Sequence, residues 1–373
     1  CKLQPKPHTS YINQNRRIKQ PHATTATFHT LLFLIRFSDH IERKLPSQVD
    51  ISRLYNSEEY SILEDSQQTK DDIIPTGSVR QVYSLNSYNK FTIQTTVIDW
   101  ITVKHTEAYY TNNNHGFSKF KEAVIEVLEE LDNNYILEDG SIFDYNNFDI
   151  DDDNTLDGLG ILHSGYGAEF GGVDCYNTQN ENRVWSHKGG LSWTSSSSST
   201  TSPEPVNVNR YYVSSALRGK CKSNIVRMGV ICHEIGHYIG LPDLYDETFD
   251  GTGLGAYDFM SQSWGFDGSG KYPPNLSAWS KVQVNWATVI TITTNGQYEI
   301  QDSTSSNVIY KITHGYPDGE YLLIENRQPI GYDSKIIGSG GIAIYHIDDN
   351  VSTGQSTRGY PGIDNNSWPQ NGK

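Results

Sequence analysis

"GVICHEIGHYIGLPDLYD", residues 229 to 246, holds two histidines, a glutamate, a glycine and two aspartates within eighteen positions. Ser223 or Asn224 can cap a helix whose apolar residues Ile225, Met228, Cys232, Ile235 and Ile239 recur at spacings of three and four, so that stripe faces a core. His233 and His237 stand one turn apart and can converge on one point beside it. Neutral imidazoles suit a borderline-soft dication such as Zn²⁺. Glu234, beside the first histidine, is placed to take a proton from water and return it to a leaving amine. Gly240 permits the left-handed turn that ends the helix, and Pro242 prevents its resumption. The chain then swings back, so Asp243, six residues after His237, arrives as a third ligand; Asp246 or a more distant side chain is the alternative. At this chain's His and Glu frequencies, H-E-x-x-H arises by chance in roughly one such chain in fifty, so the pattern carries weight only together with Gly240 and Asp243. The competing reading is a buried helix with satisfied histidines.

Outward from the helix, the chain divides into a mixed α and β body and a mostly β tail. "LLFLIRF" (31 to 37) is a nearly unbroken apolar run, suited to a strand covered on both faces. "FTIQTTVIDW" (91 to 100) alternates as a half-buried strand, and Leu159 to Leu162 is a short buried one. Phe117, Phe120, Val124, Val127, Leu128 and Leu131 predict an amphipathic helix. "TSSSSSTTSPEP" (194 to 205) reads as a surface loop. After residue 286, "WATVITITT", "NVIYKIT", "EYLLIEN" and "GIAIYHI" are short β-rich runs. The expected organisation is an extended leader over 1–27, a catalytic body over 28–290 and a β-rich segment over 291–373.

Several separate blocks resemble the secreted immune inhibitor A-like metallopeptidases, which are metzincin-like zinc enzymes. "HEIGHYIGLPDLYD" matches that family's signature, and "GAYDFMSQSW" (255 to 264) its methionine turn. "PPNLSAWSKVQVNW" and "EYLLIENRQPIGYDSKIIGSGGIAIYHID" resemble later blocks. "FLIRFSD", "GSVRQVYSLNSYNKF", "DIDDDNTLDGLGILHSGYGAE" and "VWSHK" resemble earlier ones, in the same order. The resemblance implies an α+β fold with a mixed twisted sheet and a long active-site helix, zinc on His233 and His237, Glu234 as general base, and Met260 beneath the metal. It also implies a zymogen held inactive by an N-terminal segment.

Composition narrows the partners. With 29 basic and 44 acidic residues among 373, the formal charge is −15, so a nucleic-acid backbone or an anionic membrane surface is disfavoured. No apolar run is long enough to span a bilayer. Protein or peptide substrates are the expected partners; oligomeric state has no signal. A chain starting at Cys1 rather than Met predicts removal of a precursor segment. Sequons at Asn275, Asn350 and Asn365 and the even cysteine count (Cys1, Cys175, Cys221, Cys232) fit an extracellular setting.

Other features carry two readings each. "DIDDDNTLDG" sets Asp149, Asp151, Asp153 and Asp157 at positions one, three, five and nine of an EF-hand-like loop, a Ca²⁺ site or a solvated acidic turn. Cys1 either ligates the zinc to hold the enzyme latent or forms a disulfide with Cys175, Cys221 or Cys232. His163, His187 and His346 read as structural, and Tyr245 is placed to donate to a developing oxyanion. The expected activity is that of a secreted zinc endopeptidase; the rival is a non-enzymatic extracellular structural or adhesive protein that keeps a latent peptidase fold.

Overall fold

The computed structural model describes residues 26–59, 62, 71–133, 136–137, 140, 142–196, 204–222, 224–245 and 253–349. Its first sheet has the order β2-β1-β3-β5-β4, formed by β1 (Ala26–Arg36), β2 (Phe91–Thr102), β3 (Leu159–Tyr166), β4 (His187–Thr194) and β5 (Asn207–Leu217). The first four strands in that order run parallel, and β4 closes the edge antiparallel to β5. The described residues therefore form a mixed α/β molecule.

The apolar run in β1 has a two-sided explanation. Leu32 and Leu34 face a core with α1 (Gln48–Asn56), α2 (Val79–Asn86) and α5 (Met228–Tyr238), through Leu54, Val82, Ile231 and Ile235. Leu31, Phe33 and Ile35 face the opposite core, where α4 (Lys121–Asp132) contributes Val124, Val127, Leu128 and Leu131. Between β2 and α4 lies the single turn α3 (Glu107–Thr111). A strand roofed on both sides has no polar face to keep, which is why alternation is lost in β1 and in β3, every residue of which is buried.

A second sheet, ordered β6-β7-β8-β9, comprises β6 (Thr288–Thr291), β7 (Val308–Ile312), β8 (Glu320–Arg327) and β9 (Gly341–Asp348). It packs Ile309, Tyr321 and Leu323 against Ala278 of α6 (Ala278–Gln283). Four β-rich runs read from the tail thus become its four strands.

Two helices start later than their periodicity predicts. α4 begins at Lys121, with Phe120 at its N-cap and Phe117 in the turns before it, which follow a stretch where Asn112, Asn113, His115 and Gly116 take positive φ. α5 has 11 residues and is not the long helix expected from Ser223 or Asn224. Residues 224–226 are extended: Asn224 accepts from Arg218 N–H, and Val226 N–H donates to the Ala216 carbonyl. Ile225 is spent on strand pairing with Leu217. Arg227 occupies the N-cap without a side-chain cap, and Gly229 N–H donates to the Gly270 carbonyl at 3.1 Å, satisfying one of the open donors of the first turn.

Candidate metal centre

Nearly the whole of α5 is buried, including His233, Glu234 and His237 at 7%, 2% and 6% exposure. Polar side chains at such depth need fixed partners. Each histidine has one: Nδ1 of His233 lies 2.9 Å from the Phe259 carbonyl, and Nδ1 of His237 lies 2.9 Å from the Leu241 carbonyl. A carbonyl oxygen only accepts, so both rings carry their proton on Nδ1 and turn Nε2 the other way.

Both Nε2 atoms meet one oxygen, Oδ1 of Asp243, at 3.1 Å and 3.0 Å. Burial holds the His237 ring down to about 4, so near neutral pH its Nε2 presents a lone pair to a carboxylate oxygen. Two lone pairs at that distance repel unless a cation lies between them. Zinc bonds of 2.0–2.2 Å place tetrahedral ligand atoms about 3.3 Å apart, close to what is found. The donors fit a small divalent ion.

The approach of Asp243 depends on the helix end. Gly240 takes φ +100°; its N–H donates to the His237 carbonyl, and Leu241 N–H donates to that of Gly236. This winding satisfies the terminal carbonyls and reverses the chain. Asp246 lies outside the described residues.

Beneath the helix runs the 257–260 turn. Met260 is fully buried, and a Cβ on Gly236 would meet its Sδ at 2.2 Å, so only a glycine admits the sulfur there. Leu244 N–H, adjacent to Asp243, donates to the Met260 carbonyl at 3.0 Å. Tyr245 lies nearly parallel to His233, with ring centroids 6.2 Å apart.

Sequence reasoning missed Asp258, two residues before Met260. Its buried carboxylate accepts from Met260 N–H at 2.7 Å, Ser277 N–H at 2.8 Å and Ser280 Oγ at 2.6 Å, joining the turn to the start of α6. The signal was present as "YDFM", but nothing local says that the aspartate points inward.

The aspartate loop is a second convergence. One oxygen each from Asp149, Asp151 and Asp153 lie within 4.8 Å of one another. Asp157 is outside that group; it accepts from Ile150 N–H at 3.3 Å, and burial pushes its carboxyl up to about 6. Asn154, which stands where the EF-hand pattern has glycine, takes φ +60°.

The cysteine reading needs correction. Cys175 pairs with Cys221, so neither is the partner expected for Cys1, and Cys232 is a free thiol buried against the sheet. Burial raises that thiol far above its usual range, and it is not among the side chains that converge with His233. Cys1 lies outside the described residues. The Asn275 sequon is also corrected. Asn275 is 2% exposed and its Nδ2 donates to Asp333, so a glycan has no room there. Asn350 and Asn365 lie outside the described residues. His163 is fully buried, with Nδ1 accepting from Gly165 N–H. His187 Nδ1 donates to the Trp185 carbonyl, and His346 pairs with Glu320.

Known proteins are similar to this chain in sequence. Residues 19–288 match the family model described as immune inhibitor A peptidase M6, catalytic domain. The chain is 32% identical over 218 residues to a pre-pro-metalloprotease, PrtV, of Vibrio cholerae serotype O1, an alignment covering 55% of this chain and 23% of that protein. It is 24% identical over 297 residues to immune inhibitor A of Bacillus thuringiensis subsp. alesti, covering 70% of this chain and 41% of the relative. The chain thus spans less than half the length of either. The match includes the helix, the bend after it and the turn below, and the chain belongs to the immune inhibitor A (M6) peptidase family.

Proposed function

We propose that this protein is a secreted zinc-dependent endopeptidase of metzincin-like construction. The observation that carries the reading is the meeting of two Nδ1-anchored imidazoles and the Asp243 carboxylate at 3.0–3.1 Å, with Glu234 on the same turn of helix. His233, His237 and Asp243 would hold the ion. When bound, zinc supplies Lewis acidity, which acidifies water and polarises the scissile carbonyl. Glu234 accepts the proton of the attacking water on its carboxylate and delivers it to the leaving amine nitrogen. The Phe259 and Leu241 carbonyls keep both imidazoles in one tautomer throughout, and burial of the helix excludes competing water from the ligand side. Met260 supports the helix without touching substrate, and Tyr245 is a donor candidate for the oxyanion.

The catalytic body, expected over 28–290, would take in β1 from Ala26 and end before β6 (Thr288–Thr291), the first strand of the β-rich segment. The pairing of Cys175 with Cys221 supports an oxidising compartment. A leader over 1–27 that holds the enzyme latent, with Cys1 as its thiolate ligand, accords with a relative named as a pre-pro-protein. Thiol modification that leaves activity unchanged would remove the cysteine version. Calcium on Asp149, Asp151 and Asp153 is a lesser proposal, supported by their spacing alone.

The deciding experiment pairs a metal assay with casein digestion, run on the native chain and on Glu234→Gln. The expected result is about one zinc per chain in both, with cleavage reduced by about 10²–10⁴-fold in the variant. Zinc without cleavage, even after removal of residues 1–27, would instead support a latent structural or adhesive protein.

A further inference from the structure

The turn under the metal centre is held from outside the helix it serves. Two of the three ligands take their position from residues 257–260: His233 through the Phe259 carbonyl, and Asp243 through the bond from its neighbour Leu244 to the Met260 carbonyl. Anything that moves this turn moves both ligands.

Asp258 is one anchor. The other comes from the second sheet. Arg327, the last residue of β8, is 1% exposed. Its Nη1 donates to the Tyr257 carbonyl, its Nη2 to the Asn275 carbonyl at 3.0 Å, and Nε and Nη2 to the Asp333 carboxylate at 2.7–3.0 Å. Asp333 is equally buried and also accepts from the backbone N–H and Nδ2 of Asn275, at 3.0 Å and 3.2 Å. Glu325 lies 3.7 Å from the guanidinium and accepts from Ala278 N–H and the Tyr345 hydroxyl.

A buried ion pair is a poor device for stability, since desolvating the two charges offsets most of their attraction and apolar residues of equal volume often hold a fold as well. A planar guanidinium with five donors does something an apolar pair cannot: it fixes acceptors on separate segments in one rigid geometry. Here those segments are the 257–260 turn, the approach to α6 and the loop after β8.

We infer that the Arg327–Asp333 clasp is a positioning device for the metal centre, acting through the Tyr257 carbonyl and the turn beneath His233. The β-rich segment is therefore a working part of the site, although the family match ends at residue 288. Arg327 and Asp333 touch neither ligand nor substrate.

This inference rests on the zinc reading of His233, His237 and Asp243, and its test separates the two. On the full chain, Zn²⁺ dissociation constants are measured by competition with a chromophoric chelator, and the visible spectrum of the Co²⁺-substituted protein is recorded. The variants are Arg327→Lys, Asp333→Asn and the control Leu323→Ala, which opens a cavity in the same strand away from the clasp. Each clasp variant is expected to weaken zinc about tenfold and to alter the cobalt bands. The control is expected to lose thermal stability with both readouts unchanged. Folded clasp variants with wild-type affinity and spectrum would overturn the inference. Should the single variants fail to fold, the triple Arg327→Met/Asp333→Leu/Glu325→Gln, which also neutralises the buried carboxylate beside the guanidinium, decides by the same readouts. A wild-type chain whose zinc binding is indifferent to His237→Ala would instead overturn the metal reading itself.

Discussion

Among the described residues, two places bring three metal-ligating side chains within 4.8 Å of one another, and they differ in how the donors are held. At His233, His237 and Asp243 the groups are largely buried, and each imidazole is anchored through its far nitrogen, leaving the near one aimed at the shared centre. At Asp149, Asp151 and Asp153 the second and third residues are exposed, and Asp149 spends its oxygens on the N–H groups of Asp153 and Asn154 at 3.0 Å and 2.8 Å. Proximity of ligands is common to both. What distinguishes the first is that its donor atoms face one another at 3.0–3.1 Å with both imidazoles held from behind.

The comparison predicts unequal responses. The largest belongs to His237→Ala, which removes one of three ligands: zinc affinity should fall by more than 10²-fold, as read by chelator competition, with casein cleavage lost alongside. Retained affinity would place the ion elsewhere.

Next is Gly236→Ala. The added methyl would occupy the space of Met260 Sδ, and overpacking of this kind costs about 1–3 kcal/mol. Melting temperature should drop, and zinc affinity with it, because the displaced turn carries the Phe259 carbonyl. A stability loss with unchanged affinity would show that the turn does not position His233.

A buried carboxyl away from both clusters gives a smaller, pH-dependent effect. Glu107 is fully buried at the start of α3 and is pushed up to about 8 by that burial. Its protonated form is the one favoured by folding. The stability it contributes is therefore complete below the ordinary carboxyl range and is lost as pH rises through about 8. Glu107→Gln should raise melting temperature at pH 8–9 relative to the native chain and leave it little changed at pH 5. Equal shifts at both values would contradict a neutral Glu107.

The smallest effect is expected at the aspartate loop. Without calcium, Asp151→Asn should move melting temperature by no more than about 0.5 kcal/mol in equivalent stability, as for an exposed surface change. A rise in native melting temperature with Ca²⁺ that Asp151→Asn abolishes would turn this loop into a second metal site; no response would leave it a solvated turn.

The sequence was readable where structure is local. The apolar run 31–37 announced a strand covered on both faces, and Gly240 with Pro242 announced the bend that delivers Asp243. Periodicity misled at the start of α5, because Ile225 satisfies a helical stripe and a strand pairing equally well and only the partner Leu217 decides. Asn275 fits an acceptor sequon on paper, yet its amide is committed to an aspartate 58 residues away. Asp258 and the Arg327 clasp were beyond reach for the same reason: a charged residue reads as surface until the segments that bury it are known. The contacts made by Arg327 with Tyr257 and Asn275 span 70 and 52 residues.

The central claim is that these three side chains hold one ion. Zinc-edge anomalous diffraction from crystals of the native chain tests it most directly. The account predicts a single strong peak bonded to Nε2 of His233, Nε2 of His237 and a carboxylate oxygen of Asp243, each at about 2.0–2.2 Å. A map with no peak between them, or with Asp243 turned away and the ion bound elsewhere, would contradict it.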